Sequence, residues 1–124
     1  MTKYGSYLVC KEHVQEVKDF LSQFFEERKD QYSHDNWVTF LITDTNFQIN
    51  LMKGSDQPIT QNVTFEIYCE SMDKLKEFAA RYHCKVESFV ATETAQPYTY
   101  YYIEVNGPYG ICKIEVNYCE YVKE

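Results

Sequence analysis

The 124 residues carry a formal charge of −7, with 12 basic side chains against 19 acidic ones. No basic stripe is present for a phosphate backbone, and no run approaches the ~20 apolar residues of a membrane-spanning helix, so nucleic acid and the bilayer are excluded as partners. Less ordinary is the aromatic share of 17%, with 12 tyrosines and 8 phenylalanines, which exceeds the needs of one core and suits the lining of a cavity or interface.

In chain order, "KYGSYLVC" is rich in β-formers and predicts a strand. Val14, Val17, Phe20, Leu21 and Phe24 then recur at helical spacing on one face, with Glu16, Lys18 and Asp19 turned to water. The polar segment "EERKDQYSHDN" can hold only a short, weak strand. "WVTFLIT" and "FQINLMK" predict two strands joined by the turn-prone "DTN", and "GSDQPITQ" is the best linker in the chain. The order then repeats. "NVTFEIYC" predicts a strand, Ser71 is placed to cap a helix, and Met72, Leu75, Phe78, Ala79 and Tyr82 form its apolar face. "KVESFVATE" and "YTYYYIEV" alternate as strands, "NGPYG" is a turn, and "ICKIEVNYC" closes the chain with Ile114 and Val116 opposite Glu115 in the pleat.

The five cysteines are odd in number, and no C-x-x-C pair occurs among them. They are expected to be reduced thiols, mostly buried, and the N-terminus has no apolar run long enough for a signal peptide. The expected localisation is therefore cytoplasmic. The three histidines, His13, His34 and His83, are scattered and expected to be exposed or near helix ends rather than metal-bound.

"SYLVCKEHVQEVKDFL" and "TFEIYCESMDKLKEFA" are variations on one pattern, with Glu12, Lys18 and Phe20 matched by Glu70, Lys76 and Phe78. The chain therefore reads as a single α+β domain of two βαβββ modules, about 1–54 and 62–124, joined by a linker at 55–61. One such module leaves a sheet face open. Two modules covering each other would enclose a cup between curved mixed sheets.

With that organisation, the sequence resembles the vicinal oxygen chelate superfamily of glyoxalases, bleomycin-resistance proteins and extradiol dioxygenases. "YIEVNGPYGICKIEV" looks like the family's closing hairpin, "NVTFEI" like its "HIAFEV" strand, and "FQINLM" like its first-half "LELxL". A gyrase-inhibitor-type repeat is a rival fold, but it lacks the final aromatic-turn-"IEV" hairpin. The resemblance implies a homodimer and, in metal-dependent members, four inward-pointing ligands. Carried onto this chain these are Tyr4, Asn50, Asn62 and Glu115, of which only Glu115 is a good ligand for a divalent transition metal. No cofactor is therefore expected.

Glu115 is the best catalytic candidate, with ligand binding or hydrogen-bonding by Asn62 and Tyr4 as its other roles. Alternation puts Tyr98, Tyr100 and Tyr102 on one face and Thr99, Tyr101 and Ile103 on the other, and Trp37 aligns with Tyr102. These rings either line the cup or fill a core or dimer interface. The expected ligand-binding set is Tyr4, Trp37, Asn50, Asn62, Tyr100, Tyr102 and Glu115. It implies a metal-independent protein holding an aromatic or cationic small molecule. A divergent metal-dependent lyase, isomerase or dioxygenase-like enzyme using Glu115 is the alternative, and a regulatory or interaction domain the third.

Overall fold

A computed structural model of the chain describes residues 2, 4–28, 34–41 and 46–121. Among the described residues, eight strands and two α-helices follow one another as two βαβββ series. The first comprises β1 (Tyr4–Val9), α1 (Val14–Leu21), β2 (Glu26–Arg28), β3 (Trp37–Leu41) and β4 (Phe47–Met52). The second comprises β5 (Val63–Tyr68), α2 (Met72–Arg81), β6 (Glu87–Ala91), β7 (Tyr98–Asn106) and β8 (Cys112–Tyr121). Each series forms one four-stranded mixed sheet, ordered β1-β4-β3-β2 and β5-β8-β7-β6. The weak strand expected in the polar segment is the three-residue β2. The turn expected at "DTN" lies almost wholly outside the described residues.

The helices form where the apolar spacing predicts them. In α1, Val14, Val17, Phe20 and Leu21 are buried, and the sheet beneath supplies Leu8, Val38, Phe40, Ile49 and Leu51. The helix stops at Leu21, where Ser22 donates its backbone N–H to Lys18 O and its hydroxyl to Asp19 O. Phe24 follows in the turn and meets Phe20 edge-on, with ring centroids 5.5 Å apart. At the start of α2, Ser71 has extended backbone angles and its Oγ accepts the Lys74 N–H at 3.2 Å. This satisfies one of the helix's orphan donors. Leu75 and Ala79 then bury against a sheet whose inward residues include Ile103, Ile114 and Val116.

The compact units do not coincide with the two sequence modules. One unit is Met1–Val63 with Gly107–Cys112, and the other is Thr64–Asn106 with Lys113–Glu124. The tip of the β7–β8 hairpin thus packs with the first series. Tyr109 and Gly110 turn the tip with φ of 59° and 67°. Gly110 O and Ile111 O accept the N–H groups of Asn62 and Val63, at 2.8 and 3.2 Å. Among the described residues, no helix is long and apolar enough to cross a membrane.

Candidate functional site

Strand alternation and register place the chemistry of the second sheet on one face. In the β7–β8 ladder Tyr100 lies opposite Cys119, Tyr102 opposite Asn117 and Glu104 opposite Glu115. Side chains of directly paired residues share a face, so these six stand together, while Ile103, Ile114 and Val116 fill the opposite, helix-covered face. On the far side of β7, Phe89 pairs with Tyr100 and Glu87 with Tyr102. The rings of Phe89, Tyr100 and Tyr102 form a cluster with centroid separations of 5.1, 5.8 and 6.3 Å. These are the offset and edge-on distances that aromatic quadrupoles favour.

Beside the rings lies a hydrogen-bonded carboxylate pair. Tyr100 donates its hydroxyl to Glu115 Oε2 at 2.7 Å. Asn117 Nδ2 donates to the same oxygen at 3.1 Å and to Glu66 Oε2 at 3.5 Å. Tyr68 completes the row through its hydroxyl contact with Glu66. Burial and the hydrogen bond to Glu115 push the Tyr100 phenol well above its ordinary pKa, and the Glu66 bond pushes Tyr68 up likewise. Both phenols are therefore protonated donors at neutral pH. No described lysine, arginine or histidine forms an ion pair with Glu66 or Glu115. Asn117 is fully buried, and its Oδ1 has no hydrogen-bond partner among the described residues.

Of the residues expected from sequence, the second sheet brings Tyr100, Tyr102 and Glu115 together. The others belong to the first unit. There Asn50 Oδ1 accepts from Thr39 Oγ1 at 3.0 Å and Asn50 Nδ2 reaches Ser6 O at 3.5 Å. Trp37 meets the ring of Tyr7 edge-on at 5.7 Å. Tyr4, 64% exposed, alternates onto the face of Ser6 and Leu8, opposite the face of Asn50. In the ladder Asn50 is paired with Tyr7 of β1, and an added Cβ at Gly5, two residues before it on the same face, would lie 3.4 Å from Asn50 Nδ2. Asn62 is exposed with φ of 62°, a conformation asparagine tolerates, and serves the hairpin tip through its backbone N–H.

The donor set does not fit a divalent metal. On the face of Asn50, β1 offers only Gly5, Tyr7 and Val9, Asn50 already accepts from Thr39, and Glu115 is the one carboxylate of the four positions. Among the described residues no three His, Cys, Asp or Glu converge closely enough to hold an ion. The buried cysteines Cys10 and Cys112 are not activated nucleophiles either. Burial, then Cys112, pushes the Cys10 thiol up to about 12, and burial pushes Cys112 up to about 11. An open depression of about 340 Å³ at the β6–β7 end of the second sheet is lined by Cys84, Lys85, Glu87, Tyr102 and Glu104. It is ringed by charge, and Glu104 is already paired with Lys113 at 3.2 Å.

A second cluster was not visible in the sequence. His13 stacks on Tyr109 with centroids 3.6 Å apart, and Glu16 lies 3.2 Å from His13 Nδ1. The Tyr109 hydroxyl, then His13, hold the Glu16 carboxyl below its ordinary value of 4.5. A depressed carboxyl pKa contributes stability that is present above the unfolded value and lost as pH falls through the folded one. The stability difference between wild type and Glu16→Gln should therefore shrink as pH drops below about 4.5. Thermal midpoints measured from pH 3 to 7 would check this, and a difference independent of pH would contradict it.

Glu66, Tyr68, Phe89 and Asn117 were missed by sequence reasoning. The signal was present, because Asn117 stands two residues beyond Glu115 and so on its face, and Thr64, Glu66 and Tyr68 alternate outward along β5.

No protein-family model matches the chain, and no curated protein does. Solved structures do. Lactoylglutathione lyase from Agrobacterium tumefaciens superposes with a TM-score of 0.58 at 12% identity, over 95% of this chain and 92% of that one. TnmS3, an antibiotic binding protein from Streptomyces sp. CB03234, gives 0.58 at 13% identity over 95% of both chains. A possible glyoxalase from Bacillus cereus gives 0.57 at 24% identity, over 94% of this chain and 97% of that one.

Proposed function

We propose that this chain, whose fold is that of glyoxalase/bleomycin-resistance proteins, is a metal-independent small-molecule-binding protein of the vicinal oxygen chelate type. Its ligand is an aromatic cation, held on the ring-lined face of the second sheet. The observation that carries this reading is the juxtaposition of Phe89, Tyr100 and Tyr102 with two carboxylates that no described cation neutralises. A cation over such rings gains about 0.5–2 kcal/mol, more as it is desolvated. The net charge of −7 adds a long-range attraction for the same sign of ligand. Sequestration needs shape, charge and desolvation but no chemistry, and one protein of similar fold is described as antibiotic binding. A homodimer is part of this reading, supported by the edge strand β6, which exposes Phe89 and Val90.

The test is a titration with proflavine, a planar aromatic cation, followed by fluorescence polarisation on chelator-treated protein. Saturable binding of one molecule per chain, unchanged by EDTA and weakened at least tenfold in Glu115→Gln, is expected. Tenfold corresponds to about 1.4 kcal/mol, within reach of one lost charge contact. Glutamine keeps an oxygen for Tyr100 and Asn117, so the fold should survive the change. Absence of saturable binding, or binding that appears only after divalent metal is added, would overturn the proposal. The second result would point to the metal-dependent lyase or dioxygenase class.

A further inference from the structure

The row Tyr68–Glu66–Asn117–Glu115–Tyr100 has more acceptors than donors. Its described donors are two phenolic hydroxyls and the Asn117 amide nitrogen, and all are already directed at carboxylate oxygens. Two carboxylates offer about four acceptor sites each, and an amide oxygen offers two more. The Asn117 oxygen is one of these. It is buried, bonded to nothing, and belongs to the same amide whose nitrogen holds the two carboxylates within two hydrogen-bond lengths of each other. Buried polar atoms are almost always paired, so this one marks a position where a donor is missing. What the row lacks is positive charge and N–H groups at once.

We propose that the ligand's cationic group is an N–H donor, a primary ammonium, amidinium or guanidinium, that bridges Glu66 and Glu115 and donates to Asn117 Oδ1. This rests on the aromatic-cation reading above and narrows it to a chemical class. Quaternary ammonium ions satisfy an aromatic cage by charge alone, but they would give the carboxylates no hydrogen bond and leave the amide oxygen unpartnered. Primary ammonium carries three donors, one for each of the three groups Glu66, Glu115 and the Asn117 oxygen. Glu66 and Asn117 thereby become specificity-determining residues, and the rings of Phe89, Tyr100 and Tyr102 hold the aromatic body attached to the cation. Tyr102 stands opposite Asn117 in the ladder, which puts the rings and the amide on one face of the sheet.

Benzylammonium and benzyltrimethylammonium share ring and charge and differ only in their N–H groups. Both are titrated by 15N NMR into uniformly labelled wild type and Glu66→Gln, with the Asn117 side-chain amide pair as local readout. Benzylammonium should bind wild type at least tenfold more tightly than its methylated analogue and shift the Asn117 amide signals. Its affinity should drop at least fivefold in Glu66→Gln, with the trimethyl compound changing less. Equal affinity for the two probes would overturn the N–H requirement and leave the aromatic-cation reading standing. Saturable binding of neither would overturn both. Preference for benzylammonium without movement of the Asn117 amide, or without loss in Glu66→Gln, would overturn the assignment of those residues.

Discussion

Asn117→Asp should lower the unfolding free energy by about 3–5 kcal/mol at neutral pH, although it replaces one atom by another of nearly equal size. The cost follows from what surrounds the amide. Asn117 is fully buried, and its nitrogen sits 3.1 Å from Glu115 Oε2 and 3.5 Å from Glu66 Oε2. An aspartate would turn that donor into a third anion facing two others, with no described cation paired to the row. Desolvation and like charge both favour the protonated form, so the new carboxyl's folded pKa rises above its unfolded value of about 3.9. The penalty is then absent well below the unfolded pKa and grows as pH rises through the folded one. Urea unfolding of both proteins at several pH values would check the size and the sign. A penalty under about 1 kcal/mol, or one flat with pH, would mean that Asn117 is not clamped between charged carboxylates.

About half of that candidate row is legible in the sequence. Alternation in "YTYYYIEV" and the match of the two modules were enough to place Tyr100, Tyr102 and Glu115, because both signals are local. Glu66 and Asn117 are 51 positions apart, and only the adjacency of β5 and β8 unites them. Asn117 also follows the buried Ile114 and Val116, where a polar residue attracts attention only once its burial is known. Tyr4 illustrates a different limit. Alternation fixes which residues share a face but not which face is which, and a one-residue slip exchanges the two. The register pairs Gly5 with Gln48 and Tyr7 with Asn50, which puts Tyr4 on the helix-covered side. Element order, helix faces and the Ser71 cap depend on spacing within one segment, and the structure reproduces them. The His13–Tyr109 stack depends on where a hairpin tip docks, which no spacing encodes.

The docking of that tip yields the second large effect, in Gly107→Ala. An added Cβ at Gly107 would lie 2.6 Å from Cys112 O and 2.9 Å from Phe20 Cε2. The carbonyl cannot move away cheaply, because it accepts the Gly107 N–H at 3.0 Å across the hairpin. Phe20 cannot easily turn either, since it is buried on α1 and packed edge-on against Phe24. One methyl group should therefore cost about 2–4 kcal/mol, at or above the usual range for overpacking. Gly110→Ala is the control. Its φ is 67°, but no atom lies within 4 Å of the new Cβ, so only backbone strain of about 1 kcal/mol is expected. Hydrogen exchange locates the damage. In Gly107→Ala, protection should fall at the Asn62 and Val63 amides, which donate to Gly110 O and Ile111 O. Equal losses in the two alanine variants would show that the close approach of Gly107 to Phe20 does not hold the tip. A loss confined to Gly107→Ala would make that contact the anchor of the hairpin whose strands carry Tyr100, Tyr102, Glu115 and Asn117.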